Sequence, residues 1–220
     1  MIKIIQRLIH KIKELSRFLF PCRCFGCEKR DEILCRQCIS QLPPKTTGKT
    51  RYIDLFIAAS GYQSPALRAL IRQMKFRSSK NIADILGILL AQSMQEIAPI
   101  LEKDTIIIPI PLSKKRMRER GYNQAERIAE KISLYHSFNL IRNGLIKIKN
   151  TPPQTSFSEK TKRAKNIRGA FNIGPSFSPS GKYILLIDDV MTSGATINEA
   201  ARILKKAGAL KVYAAVVAKG

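Results

Sequence analysis

Apolar residues in this chain fall either into short unbroken runs or into longer stretches with helical spacing. Tyr183-Ile184-Leu185-Leu186-Ile187 is a run of the first kind, which predicts a strand buried on both faces as in a parallel sheet. After a small-residue turn, Ile197 to Gly208 carries apolar groups at helical spacing, with Lys205 and Lys206 in its last turn and Gly at its end. That pattern predicts a helix. Further runs predict strands over 53–59, 105–111, 145–148 and 212–217. Ser64-Pro65 supplies an N-cap and a first-turn proline for a helix whose buried face is Leu67, Leu70, Ile71 and Met74. Asn81 is expected to cap the next helix, with Ile82, Ile85, Leu86, Leu89, Leu90 and Met94 turned inward. The segment Pro43 to Arg51 is polar and reads as a linker.

Residues 1–20 place Ile5, Leu8, Ile9, Ile12, Leu15 and Leu19 on one helical face, and charges interrupt every apolar run. A secretory signal needs an unbroken apolar centre, so this is not one. No run approaches the roughly twenty apolar residues of a membrane-spanning helix. The chain is therefore expected in the cytoplasm. A basic amphipathic helix has two fates: packing on the protein's own body, or peripheral contact with the anionic inner face of the membrane.

Charge narrows the partners. The 220 residues, 45% hydrophobic, suffice for one good core plus a small appendage. Against 16 Asp and Glu stand 39 Lys and Arg, a formal charge of +23. Such an excess predicts partners rich in phosphate: nucleotides, nucleic acid or an anionic membrane surface.

All five cysteines lie within residues 22–38. Cys24-x2-Cys27 and Cys35-x2-Cys38 have the paired-knuckle spacing of a tetrahedral thiolate site, in which each pair offers two sulfurs to one ion. Four thiolates satisfy Zn²⁺ without water, so this metal would be structural, and an iron–sulfur cluster is the other metal reading. The odd cysteine count and the absence of an export signal argue against disulfides. Gly26 is expected to give the first knuckle room to turn. Cys22 stands just outside the pattern, as a spare thiol or a substitute for Cys24.

The most informative stretch is Asp188-Asp189-Val190-Met191-Thr192-Ser193-Gly194-Ala195-Thr196, which joins an acidic pair to a hydroxyl-rich turn between strand and helix. Backbone N–H groups at a helix N-terminus are unpaired and sit at the positive end of its dipole, which suits a phosphate monoester. The Thr192, Ser193 and Thr196 hydroxyls add donors. Two carboxylates repel that phosphate and should face sugar hydroxyls or a cation. A phosphate at one end of a pentose and hydroxyls at the other describe a ribose 5-phosphate. An aspartate N-cap on an ordinary strand-to-helix turn is the simpler alternative.

Upstream, the strand ending in Pro109-Ile110-Pro111 releases into Lys114, Lys115, Arg116, Arg118 and Arg120, then Gly121-Tyr122-Asn123-Gln124. This predicts a five-cation loop able to cradle a pyrophosphate, with Lys114, Arg118 and Arg120 as the candidates; a solvated basic loop is the alternative. A polar, proline-rich segment over 150–156 and then Arg163, Asn166, Arg168, Gly169 and Phe171 form a long stretch of weak structure, of the sort that is functional or mobile.

The acidic pair with its turn resembles the signature by which type I phosphoribosyltransferases bind phosphoribosyl pyrophosphate (PRPP). The ordered set of the two Cys-x2-Cys pairs, Tyr62, Leu70-Ile71-x2-Met74-Lys75-Phe76, Ile108 to Leu112, Arg120 to Gln124, Gln154, Arg163-x2-Asn166-x2-Gly169-Ala170-Phe171 and Asp188 to Thr196 resembles the ComF family over nearly the whole chain. The resemblance implies an α/β fold with a type I phosphoribosyltransferase-like parallel sheet flanked by helices over 52–220, preceded by a small four-cysteine zinc-finger domain over 21–44. It implies that Asp188 and Asp189 meet the ribose 2′ and 3′ hydroxyls and that the turn to Thr196 cradles the 5-phosphate. It further implies a role in DNA uptake during natural transformation, handling imported single-stranded DNA alongside competence proteins. A phosphoribosyltransferase of nucleotide salvage and a zinc-knuckle adaptor for a partner protein are the other readings. Mg²⁺ is expected with PRPP, whose pyrophosphate is a dense anion. In a transfer step Asp188 and Asp189 would act catalytically, stabilising positive charge on the sugar.

Overall fold

The computed structural model describes residues 22–149 and 167–220. The amphipathic helix expected over 1–20, the proline-rich segment 150–156, and Gln154, Arg163 and Asn166 lie outside the described residues. A short helix, α1 (Arg36–Ser40), closes the cysteine-rich segment, and β1 (Thr46–Gly48), β2 (Leu55–Gly61), α2 (Pro65–Phe76) and α3 (Lys80–Ser93) follow. A 3₁₀ turn (Ala98–Ile100) leads to β3 (Ile106–Pro109), α4 (Lys114–Arg120), α5 (Gln124–His136), β4 (Asn139–Leu140) and β5 (Leu145–Lys147). The chain ends with β6 (Phe171–Ile173), β7 (Tyr183–Met191), α6 (Ala195–Lys206) and β8 (Lys211–Lys219).

Six strands form one sheet in the order β1-β2-β8-β7-β3-β4, parallel throughout except for β1. Both faces are covered, which is why the central strands read as unbroken apolar runs. Ile57, Ile107, Leu185, Ala215 and Val217 face α2, α3 and α5, whose Leu70, Met74, Leu86, Leu90, Ile128 and Ile132 complete one core. Ile108, Ile184, Leu186, Val212 and Val216 face α6 and the separate antiparallel pair β5–β6, meeting Ile197, Leu204, Leu145 and Phe171. Buried Cys24, Leu34, Cys35 and Cys38 merge into the first core, so the knuckle is seated on the body.

Several expectations need correction. The segment read as a linker contributes β1, because Thr46–Gly48 pairs in register with Phe56–Ala58 and completes the sheet edge. The cap of α3 is Ser79, two residues before Asn81; the Ser79 carbonyl is pinned by the Tyr122 hydroxyl at 3.1 Å, which sets where the helix starts. The five-cation loop is the helix α4: Ser113 accepts from the Arg116 N–H at 3.4 Å and Gly121 closes it at φ 72°. Finally, β7 runs on to Met191, so the acidic pair lies within the strand rather than beyond its end. Among the described residues no helix is long and apolar enough to cross a membrane.

Candidate functional site

From β3 the chain crosses through α5 to β4 on one side, and from β7 through α6 to β8 on the other. The neighbouring strands β3 and β7 therefore release their connections in opposite directions, which opens a crevice at their carboxyl ends where ligands of open α/β sheets bind. A cavity of about 370 Å³ occupies that crevice, walled by Asp188–Ile197 on one side and by Ile110–Leu112, Arg116, Arg120 and Asn123–Ala125 on the other. Tyr62, Lys75, Lys147 and Ile167 complete it.

At one end lies the turn into α6. Gly194 takes φ 72°, a left-handed conformation that a side chain would strain, and this aims the following amides outward. The N–H groups of Ser193, Gly194, Thr196 and Ile197 have no acceptor among the described residues. The turn is braced from below: Asn198 donates to the Gly194 carbonyl at 3.0 Å and accepts from the Thr50 hydroxyl at 2.6 Å. Thr192 and Ser193 are exposed and Thr196 half-buried, and all three line the cavity. Val190 and Met191 pack into the cores and present backbone there.

The acidic pair forms the floor. Alternation along β7 sends the two carboxylates to opposite faces of the sheet. Asp189, 7% exposed, pairs with Lys75 from α2 at 2.9 Å. Asp188 accepts from the Asp189 N–H at 2.8 Å. Burial, reinforced by the Asp189 charge, pushes the Asp188 carboxyl up to about 7 in spite of Lys75.

Besides Lys75, the cavity carries three cations. Arg116, Arg120 and Lys147 have no acidic partner among the described residues, and burial holds both Arg120 and Lys147 below their usual ranges. Lys147 sits 5.5 Å from the centre of the Phe171 ring. Arg120 donates to Gln124 Oε1 at 2.9 Å, which leaves the Gln124 Nε2 donor buried in the wall without a partner. Unpaired cations and an orphaned donor around one hollow ask for an anion.

The structure thus gathers Asp188 to Thr196 and Arg120 around one space, whereas Lys114 and Arg118 are exposed and outside its lining. Sequence reasoning passed over Lys75, Gln124 and Lys147 as site residues. Lys75 and Gln124 stand within the quoted motifs, but only tertiary contact shows that they reach the acids and the cavity wall.

The cysteine cluster is a second centre. The sulfurs of Cys24, Cys27, Cys35 and Cys38 lie within 4.8 Å of one another, Cys27 and Cys35 at 3.6 Å. A tetrahedron of Zn–S bonds near 2.3 Å has S···S edges of about 3.8 Å, so the set fits Zn²⁺. Burial works against ionising Cys24, yet the N–H groups of Cys35, Gly26 and Cys27 outweigh it and bring the thiol down to about 6. Hydrogen bonding to Cys35, together with burial, pushes Cys38 up. One thiolate thus excludes its neighbours until a cation joins them. Gly26 is needed for a different reason from the one expected: a Cβ there would sit 2.5 Å from the Cys38 sulfur. Cys22 is exposed and outside the cluster.

The family described as Phosphoribosyl transferase domain matches residues 77–220 of this chain. Competence protein F of Haemophilus influenzae is 30% identical over 177 residues, 79% of this chain and 73% of that protein. DNA utilization protein YhgH of Escherichia coli is 27% identical over 197 residues, 86% of this chain and 85% of that one. Competence protein ComFC of Bacillus subtilis is 32% identical over 142 residues, 64% of this chain and 55% of its own length.

Proposed function

From the premise that the chain belongs to the ComF family of phosphoribosyltransferase-domain proteins, we propose that its cavity binds PRPP and that the protein handles single-stranded DNA during DNA uptake. The observation that carries the first part is the polarity of the cavity. One cavity is lined by the turn with the unpaired Ser193, Gly194 and Thr196 amides, by the two carboxylates, and by Arg116, Arg120, Lys147 and the Gln124 amide. That set complements the three parts PRPP carries: a 5-phosphate, a diol and a pyrophosphate. Relatives named for competence and for DNA utilization, together with the +23 charge, support the second part.

In the bound state the α6 amides hold the 5-phosphate, and Asp188 and Asp189 accept from the ribose hydroxyls, Asp189 exchanging part of its contact with Lys75. Mg²⁺ bound with PRPP would supply charge to offset the pyrophosphate oxygens and so make pyrophosphate a better leaving group. Lys75 is then free to turn to the same anion. In a transfer step the two carboxylates stabilise positive charge on the sugar, and Arg116, Arg120 and Gln124 hold the departing pyrophosphate. The four-cysteine set holds structural Zn²⁺ that fastens the knuckle to the first core.

Calorimetric titration with PRPP and Mg²⁺ tests the reading. Wild type should bind, and Asp188→Ala with Asp189→Ala should weaken binding by about 1.5 to 3 kcal/mol per lost charged hydrogen bond. Equal affinity in both proteins would show that the acidic pair makes no contact with the ligand.

A further inference from the structure

Along the solvent side of α2, Arg68, Arg72 and Phe76 follow at i, i+4 and i+8, one above another. All three are exposed, Phe76 to 80%. The core face of this helix is already filled by Leu67, Leu70, Ile71 and Met74, so Phe76 is not part of it. Two ties bring the end of α2 beside α4. Ser78 Oγ donates to the Arg120 carbonyl at 2.7 Å, and the Tyr122 hydroxyl reaches the carbonyls of Met74 and Ser79 at 3.4 and 3.1 Å. From α4 come Lys115 and Arg118, both exposed, with Glu119 as the only carboxylate on that helix. Arg72, Lys115 and Arg118 have no acidic partner among the described residues, and Arg68 meets only the Gln63 carbonyl at 3.4 Å. Lys75, one residue before Phe76, lines the cavity and pairs with Asp189, so α2 carries both part of the cavity wall and this exposed row.

We propose that the α2–α4 rim is the single-strand binding site of this protein, with Phe76 stacking on a base while Arg68 and Arg72 neutralise phosphates. The proposal rests on the DNA reading above and adds to it the place and the mode of contact. Cations alone suit any polyanion, but an exposed aromatic face among unpaired cations selects a strand whose bases are free to stack. A duplex keeps its bases inside. The rival surface, the cysteine knuckle, has spent much of its charge: Arg23 lies 3.8 Å from Glu28, and Lys29 lies 2.6 Å from Glu32. The rim has not.

The test is fluorescence anisotropy of the full chain with a labelled oligothymidylate about twenty nucleotides long, at several salt concentrations, with thermal melts confirming that each variant folds. Phe76→Ala should lose about tenfold or more in affinity with an unchanged salt slope, since stacking releases no counterions. Arg68→Glu with Arg72→Glu should weaken binding and flatten the slope of log K against log salt by about 1.4, two phosphate contacts on a single strand. PRPP binding by both variants should match wild type, because none of these residues lines the cavity. If wild type binds the strand and both variants bind it equally well, or if only Arg23→Glu with Arg36→Glu reduces binding, the rim is not the site although the DNA reading survives. If wild type binds no strand, or takes a duplex of the same sequence just as tightly and without regard to Phe76, the single-strand reading falls and the rim proposal with it.

Discussion

Replacing Asp188 by Asn should make the protein more stable and worse at binding its ligand. The Asp188 carboxyl is displaced from 3.8 to about 7 by burial and by its neighbour Asp189. Folding therefore favours its protonated form, so stability falls as pH rises from about 4, where the unfolded chain ionises, through 7, and stays low above. At about 1.36 kcal/mol per pH unit the displacement corresponds to an upper limit of about 4 kcal/mol. Asp188 is only half-buried at the cavity floor, where solvent screens part of this penalty, so about 2 kcal/mol at pH 8 is the expected gain. At pH 5 most of the penalty is absent, and the gain should drop below about 1 kcal/mol. Asn keeps the oxygen that accepts from the Asp189 N–H, which isolates the effect of charge. Urea unfolding of both proteins at pH 5 and pH 8, with calorimetric titration of PRPP, reads all three quantities. An Asn variant no more stable than wild type at pH 8, or one stabilised equally at both pH values, would refute the argument that this carboxylate is held against the fold's own preference.

Metal analysis should find about one zinc per chain, and Cys35→Ser should release it while PRPP binding persists; a folded knuckle free of metal is the contrary result. Gly26→Ala, whose Cβ would press on the Cys38 sulfur, should hasten zinc loss to a chelator, whereas loss at the wild-type rate would show that the contact relaxes freely. Gly194→Ala should cost about 1 to 2 kcal/mol in stability for its left-handed backbone and weaken PRPP binding further, with unchanged values in both assays speaking against a fixed turn. Lys75→Met should destabilise by about 2 kcal/mol, less than a fully buried broken pair because Lys75 is a quarter exposed, and adding Asp189→Asn should restore part of the loss; strict additivity of the two would deny their coupling.

What could be read from the sequence was whatever local chemistry determines. The run from Tyr183 announced a buried strand, the small residues after it a turn into a helix, and the cysteine spacing a four-sulfur cluster, because each is decided by neighbours in the chain. The helix α4 escaped because its residues are nearly all charged and show no apolar periodicity; Ser113 and Gly121 were its only signals. The strand β1 escaped because two threonines and a glycine, with no apolar side chain to mark them, join the sheet through backbone pairing. Lys75 and Lys147 could not be assigned to the cavity in advance. Their place there depends on how α2 and the β5–β6 pair dock against β7, and no spacing along the chain encodes it.

On the proposed reading, one cavity holds a phosphoribosyl group from its 5-phosphate to its pyrophosphate. A crystal structure of the protein with PRPP and Mg²⁺ tests it most directly. The 5-phosphate should lie on the Ser193, Gly194 and Thr196 amides, the ribose hydroxyls on Asp188 and Asp189, and the pyrophosphate beside Arg116, Arg120 and the Gln124 amide. PRPP found in the opposite orientation, or bound away from the turn that precedes α6, would contradict it.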